Sequence, residues 1–129
     1  MTALVLELKQ GELMILNGAV IRFKTRARLE LTTRARFLFG KQIMAEEDAT
    51  TPARQLYYTL QRAYIGDDQE RPAALAAAQR LISVAREYED EPGKMALDAL
   101  TESLRDGAGF DSLKRARRLI RDLPETVSG

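Results

Sequence analysis

Residues 9–44 read KQGELMILNGAVIRFKTRARLELTTRARFLFGKQIM, and this stretch decides the fold. Apolar and polar residues alternate along most of it, glycine breaks it at Gly11 and Gly18, and arginines crowd its second half. A side-chain period of two is the mark of a strand with one face against a core. Asn17-Gly18 between two apolar runs is the strongest short-range hairpin signal, because both residues accept the positive φ of a type I′ turn. Residues 13–16 and 19–24 are therefore predicted as the arms of a hairpin. Upstream, Leu4, Leu6 and Leu8 alternate with Val5, Glu7 and Lys9 and give a first strand. Downstream, residues 26–32 give another, with Ala27, Leu29 and Leu31 facing inward and Arg28 and Glu30 outward. Residues 36–39 make a short fifth strand that Gly40 ends, with Ile43-Met44 packing back on the sheet.

Beyond residue 44 the period changes to that of helices. Residues 45–51, AEEDATT, form an acidic linker. Thr51-Pro52 reads as an N-cap followed by proline at the first helical position. Ala53, Leu56, Tyr57, Leu60 and Tyr64 then share one helical stripe, and Gly66-Asp67-Asp68 stops it. Arg71-Pro72 opens a second helix with Leu75, Ala78, Ile82 and Ala85 on one face, widened by Leu81, Val84 and Tyr88. Residues 89–93 read as a helix break. A third helix over 94–105 shows Ala96, Leu97, Leu100 and Leu104, with Gly107 as a left-handed cap. Asp111 caps a fourth, whose stripe is Leu113, Ala116, Leu119, Ile120 and Leu123, and Pro124 closes it. The fold class is α+β: a small antiparallel β module (1–44), an acidic linker (45–51), a helical subdomain of about four helices (52–124) and a loose tail (125–129).

Composition narrows the chemistry. The 129 residues include no cysteine and no histidine, which removes disulfides, thiolate chemistry, the commonest metal ligand and the usual neutral-pH base. No cofactor and no catalytic group is implied, so the expectation is a protein that is not an enzyme. No segment is long and apolar enough to span a bilayer, and Glu7 comes too early for a secretory signal, so the expected compartment is the cytoplasm, with no membrane partner. The net charge of +1 conceals an asymmetry. Residues 1–44 carry eight Lys/Arg against three Glu, a balance of +5; residues 45–112 balance at −7 and residues 113–129 at +3. Such blocks suit either two surfaces with different tasks or ordinary solvation of exposed faces.

The basic strip is Arg22, Lys24, Arg26, Arg28, Arg34, Arg36 and Lys41. Guanidinium groups at strand pitch can meet successive phosphates or stack on unpaired bases, and Phe23, Phe37 and Phe39 are interleaved as a single-strand platform would need. The competing reading is that the arginines solvate an outer face while the phenylalanines fill the core. Tyr57 and Tyr64 belong to a core stripe, and Tyr58 lies off it. The carboxylates Glu46-Glu47-Asp48 and Asp67-Asp68 lack the spacing of a calcium loop, and Gly107-Ala108-Gly109 lacks the lysine of a phosphate loop. Lys114, Arg117, Arg118 and Arg121 face away from the stripe of the last helix, where they complement its dipole or meet an acidic partner or RNA.

The segments KQGELMILNGAVI, RLEL, KQIMAEEDATTPARQLYYTLQRAYI and LKRARRLI, in this order and spacing, resemble the flagellum biosynthesis repressor family, FlbT. The resemblance implies action after transcription on the 5′ untranslated region of flagellin mRNA, changing its translation and stability. It also implies a functional link to a FlaF-type regulator and to flagellin. A second resemblance covers the first third. Gly11-Glu12, Met14-Ile15-Leu16, Asn17-Gly18, Leu29-Glu30-Leu31 and Lys41-Gln42-Ile43 look like the carbon storage regulator family of mRNA-binding β proteins. That likeness implies five strands per chain, strand exchange in a dimer, and RNA contacts from a basic first strand and an arginine ending the fifth. Leu8 and Gly40 stand at those two places here, so any RNA contact is expected from residues 22–36, largely through phosphates. The alternative is a protein-interaction module that binds flagellin or a FlaF-type regulator through its acidic helical half. A short open sheet also leaves edges that an isologous homodimer would pair.

Overall fold

At Asn17 and Gly18 the backbone takes φ values of 49° and 89°, the left-handed pair of a type I′ turn. Around this hairpin the computed structural model, which describes residues 4–33 and 35–122, sets five antiparallel strands followed by four helices. The strands are β1 (Leu4–Leu8), β2 (Leu13–Leu16), β3 (Ala19–Arg22), β4 (Ala27–Leu31) and β5 (Phe37–Phe39). The helices are α1 (Pro52–Ile65), α2 (Glu70–Glu87), α3 (Glu91–Ser103) and α4 (Phe110–Asp122). The architecture is α+β, and the chain divides into two compact units, Met1–Ile43 and Met44–Gly129.

The β unit contains two small sheets. In one, β1 pairs β4 with Leu6 opposite Leu29 and Glu7 opposite Arg28. In the other the order is β3-β2-β5, with Met14 opposite both Ile21 and Phe39. Each strand therefore finds a partner within the chain. Because paired residues share a face, the alternation turns Leu6, Leu8, Leu29 and Leu31 of one sheet, and Met14, Leu16, Ile21, Phe37 and Phe39 of the other, into one apolar cluster. Side-chain hydrogen bonds pin the ends. Asn17 Oδ1 accepts the Arg36 N–H at 3.1 Å while the Asn17 N–H donates to the Arg36 carbonyl at 2.8 Å, which ties the hairpin turn to the approach of β5. The Glu12 carboxylate accepts the Lys9 N–H at 2.6 Å and so closes the β1–β2 turn.

The helical unit begins at Met44. Its N–H donates to Gln61 Oε1 at 2.8 Å and its carbonyl accepts from Gln61 Nε2 at 3.0 Å. Gln61 is buried on α1, so the paired bonds satisfy an amide that water cannot reach. Thr51 caps α1 by accepting the Arg54 N–H, with Pro52 in the first turn as expected. The core runs through Leu56, Tyr57, Leu60, Ala78, Ile82, Leu97, Leu100, Leu113 and Ala116. Tyr57, only 2% exposed, lies beneath the Arg117 guanidinium at 5.0 Å from its ring centre, and its hydroxyl accepts an Arg117 N–H at 3.2 Å. The buried Ser112 hydroxyl sits 3.1 Å from Ser103 Oγ and stitches α3 to α4.

Several boundaries differ from the sequence expectation. The 89–93 break shrinks, since α3 starts at Glu91 with Pro92 in its first turn and Asp90 capping it by accepting the Gly93 N–H at 2.9 Å. Proline costs nothing there because the first-turn N–H groups have no helical partner. Asp111 does not cap α4; it lies inside the first turn and pairs with Arg115 at 3.0 Å, while the Gly109 carbonyl accepts from Leu113. Asp67 opens α2 as well as closing α1, its Oδ1 accepting from Gln69 and Glu70 at 3.0 and 2.7 Å. Gly107 does take a left-handed φ of 101°. The endings expected at Leu123, Pro124 and the 125–129 tail lie outside the described residues.

Candidate functional site

The basic residues of the β unit arise from the strand alternation that builds its core. In β3, Ile21 faces the core and Arg22 therefore points outward; in β4, Leu29 faces the core and Arg28 points outward. Arg22 and Arg28 thus ride on the outer faces of two different sheets. Lys24 and Arg26 lie on the exposed connection between β3 and β4. Among the described residues, none of these four makes an ion pair or a side-chain hydrogen bond, and all are exposed. Their environments differ. Arg28 has Glu7 directly across the strand pair and Glu30 two residues along, so its face carries mixed charge. Arg22, Lys24 and Arg26 lie close together in sequence with no acid between them, and form the cleaner positive surface.

Arg36 is partly buried, its backbone is held by Asn17, and its Nε is enclosed without a hydrogen-bond partner. Lys41 sits in the 3-10 turn Gly40–Gln42 that follows β5. Arg34 lies outside the described residues. The phenylalanines settle which of the two readings applies to them. Phe23, Phe37 and Phe39 pack against Leu6, Leu8 and Met14, and the Phe37 and Phe39 rings lie 6.4 Å apart within that cluster, so they belong to the core and do not form a stacking platform.

In the helical unit, the basic face of α4 is partly engaged internally. Arg117 covers Tyr57, Arg115 pairs with Asp111, and Lys114 sits 5.9 Å from the Phe110 ring centre. A second surface appears that residue patterns did not single out. An apolar groove of 430 Å³ opens where the start of α1 and the ends of α2 and α4 come together, lined by Pro52, Leu56, Leu81, Val84, Tyr88 and Ile120 among others. Val84 and Tyr88, expected to widen the buried stripe of α2, are instead 57% and 83% exposed. The signal was present as an apolar arc wider than one helix buries against its neighbours. Among the described residues no group of three or more His, Cys, Asp or Glu is arranged to hold a metal ion, and no helix is long and apolar enough to cross a membrane.

The family model for the flagellar protein FlbT matches residues 4–123. A probable flagellum biosynthesis repressor protein FlbT from Brucella ovis is 35% identical over 116 residues, covering 90% of this chain and 76% of the relative. Its counterpart from Brucella canis gives the same figures, and the one from Brucella anthropi is 35% identical over 115 residues, covering 89% and 76%. No solved structure matches the chain. With the family match spanning both the strands and all four helices, the chain belongs to the FlbT family of flagellar proteins.

Proposed function

We propose that this protein regulates flagellum biosynthesis after transcription, by binding the 5′ untranslated region of flagellin mRNA and altering its translation and stability. One observation carries the RNA contact: Arg22, Lys24 and Arg26 stand exposed, close in sequence and, among the described residues, without ion-pair partners. Cations left unpaired on a surface keep their full attraction for phosphate, and each phosphate neutralised releases condensed counterions. With the phenylalanines committed to the core, the contact rests on backbone phosphates more than on stacked bases. The relatives' name, flagellum biosynthesis repressor, supports the regulatory part of this reading.

A gel-shift titration of a flagellin leader RNA across a salt series tests it. Wild-type affinity should fall steeply with salt. Arg22/Lys24/Arg26→Ala should weaken binding and flatten the log–log slope by roughly 0.7 for each phosphate of single-stranded RNA that the variant leaves unneutralised. An unchanged slope in the variant would remove this site from the mechanism. The groove of the helical unit favours a second reading, a protein-interaction module that engages flagellin or a FlaF-type regulator and affects the message indirectly.

A further inference from the structure

We propose that the outer face of α4 is a second contact for the phosphate backbone of single-stranded RNA, carried by the helical unit and separate from the surface of Arg22, Lys24 and Arg26. It rests on the RNA reading, extends it to another surface and is tested apart from it.

The face follows from how the helix packs. Leu113, Ala116 and Leu119 are buried in the core, which turns Lys114, Arg117, Arg118 and Arg121 to the other side. From Lys114 to Arg121 every exposed residue of α4 is a cation. Residues three and four apart on a helix are neighbours, with about 5–6 Å between their Cβ atoms, so the four make one stripe. The helix dipole accounts for Arg121, which lies in the last turn. That effect fades within one turn, and Lys114, Arg117 and Arg118 need another reason. Neighbouring carboxylates do not supply it. α1, which packs against α4, holds no Asp or Glu. On α3, Asp98 is paired with Arg86 and Glu102 with Arg105, and the charge of Glu91 acts on Arg86. Asp111 of α4 itself is paired with Arg115. Arg117 is held in place over the buried Tyr57 ring and keeps its charge there. Among the described residues Arg118 makes no ion pair and no side-chain hydrogen bond.

The same packing selects the occupant. A helix that lies in a bilayer surface enters it by its apolar face, and the apolar face of α4 is used in the core. A protein partner is anchored by apolar or aromatic groups at the centre of the contact, and none is exposed between Lys114 and Arg121. A row of cations without an apolar centre matches a chain of phosphates, where binding comes from charge and the release of counterions.

The test titrates a labelled flagellin leader RNA with the full chain across a salt series, followed by fluorescence anisotropy. Lys114→Gln/Arg118→Gln should flatten the log–log slope by roughly 1.4, about 0.7 for each of two phosphates. Affinity should fall about tenfold near 0.15 M salt and approach that of wild type near 1 M. The circular dichroism spectrum should not change, because both side chains are exposed. The charge-conserving pair Lys114→Arg/Arg118→Lys should bind as wild type does. An unchanged slope in the glutamine variant, with Arg22/Lys24/Arg26→Ala still weakened, would overturn the α4 contact and leave the RNA reading in place. Slopes unchanged in both variants, or no binding by wild type, would overturn the two together. Equal losses in the glutamine and charge-conserving variants would show that shape, not charge, is at work and would overturn the phosphate contact. A poly-glutamate of matched charge that competes as well as the RNA, and loses as much on the glutamine substitutions, would replace RNA with an acidic protein.

Discussion

The helical unit and the β unit reach order by different routes. In the helical unit, Leu60, Ala78, Leu100 and Ala116 are fully enclosed, and the buried polar groups of Gln61, Ser112 and Tyr57 each have a partner. In the β unit the apolar cluster is centred on Leu6, Leu8 and Met14, and the seven apolar side chains around it are only partly buried. A unit of about 40 residues sits at the lower limit for a self-sufficient core, so turns and edge hydrogen bonds carry a larger share of its order. The lesson concerns function as much as stability. Short strands with a thin interior present much surface per residue, and on that surface Arg22, Arg26 and Arg28 stand exposed, among the described residues without ion-pair partners.

The widest effect expected from this contrast comes from one substitution made in both places. Leu60→Ala empties a fully enclosed site on α1 and should destabilise the helical unit by about 2–5 kcal/mol. Leu16→Ala removes the same atoms from a partly exposed site in β2 and should cost less, about 1–2 kcal/mol. Urea unfolding followed by circular dichroism measures both. Equal losses would mean that the β unit is packed as deeply as the helices, and the contrast would fail.

A smaller effect tests the claim that turns matter most in the β unit. Gly40 has a φ of 57°, and a Cβ built there would lie 2.8 Å from Glu12 Oε2. The left-handed backbone alone costs about 1–2 kcal/mol for a residue with a Cβ. Gly40→Ala should therefore cost about 1–3 kcal/mol and disturb the Glu12 carboxylate that holds the Lys9 N–H. Gly11→Ala is the control, since its φ is also positive, at 85°, but nothing lies within 4 Å of the added Cβ. Faster hydrogen exchange at Lys9 in Gly40→Ala but not in Gly11→Ala would tie the loss to the Glu12 carboxylate; equal exchange would show that backbone conformation alone is at work.

How much of this was legible in the residues follows from how local each cause is. The Asn17-Gly18 turn, the Thr51 cap and the left-handed Gly107 depend on a few consecutive residues, and all three stand where the sequence put them. The start of α3 was misplaced because Pro92-Gly93 signals a break in isolation. Asp90 as cap converts the same pair into a first turn. The inward turn of Phe23, Phe37 and Phe39 depends on two sheets sharing one cluster, which alternation along a single strand cannot reveal. The groove was least legible. Val84 and Tyr88 continue the apolar arc of α2, and only the positions of α1 and α4 decide that this part of the arc is left uncovered.

The smallest expected effect probes a surface bond of the helical unit. Arg86 on α2 grips Asp98 on α3 through two hydrogen bonds, Nε to Oδ1 at 2.8 Å and a terminal nitrogen to Oδ2 at 3.1 Å. The hydrogen bond from Arg86, aided by its charge, holds the Asp98 carboxyl below the ordinary aspartate range, and the same bond raises Arg86. Arg86 stays charged at every pH of interest, so only the aspartate titrates. In the unfolded chain Asp98 takes up its proton near pH 4, and in the folded chain it does so at lower pH. The stabilisation is therefore present in full above about pH 4 and fades as pH falls through the folded value. Asp98→Asn should lower the urea midpoint slightly at neutral pH, as befits an exposed pair, and should run together with wild type once the acid limb is passed. Two midpoint curves that stay parallel down to about pH 2 would show that Asp98 stabilises the α2–α3 pair by its shape and polarity, with its charge contributing nothing.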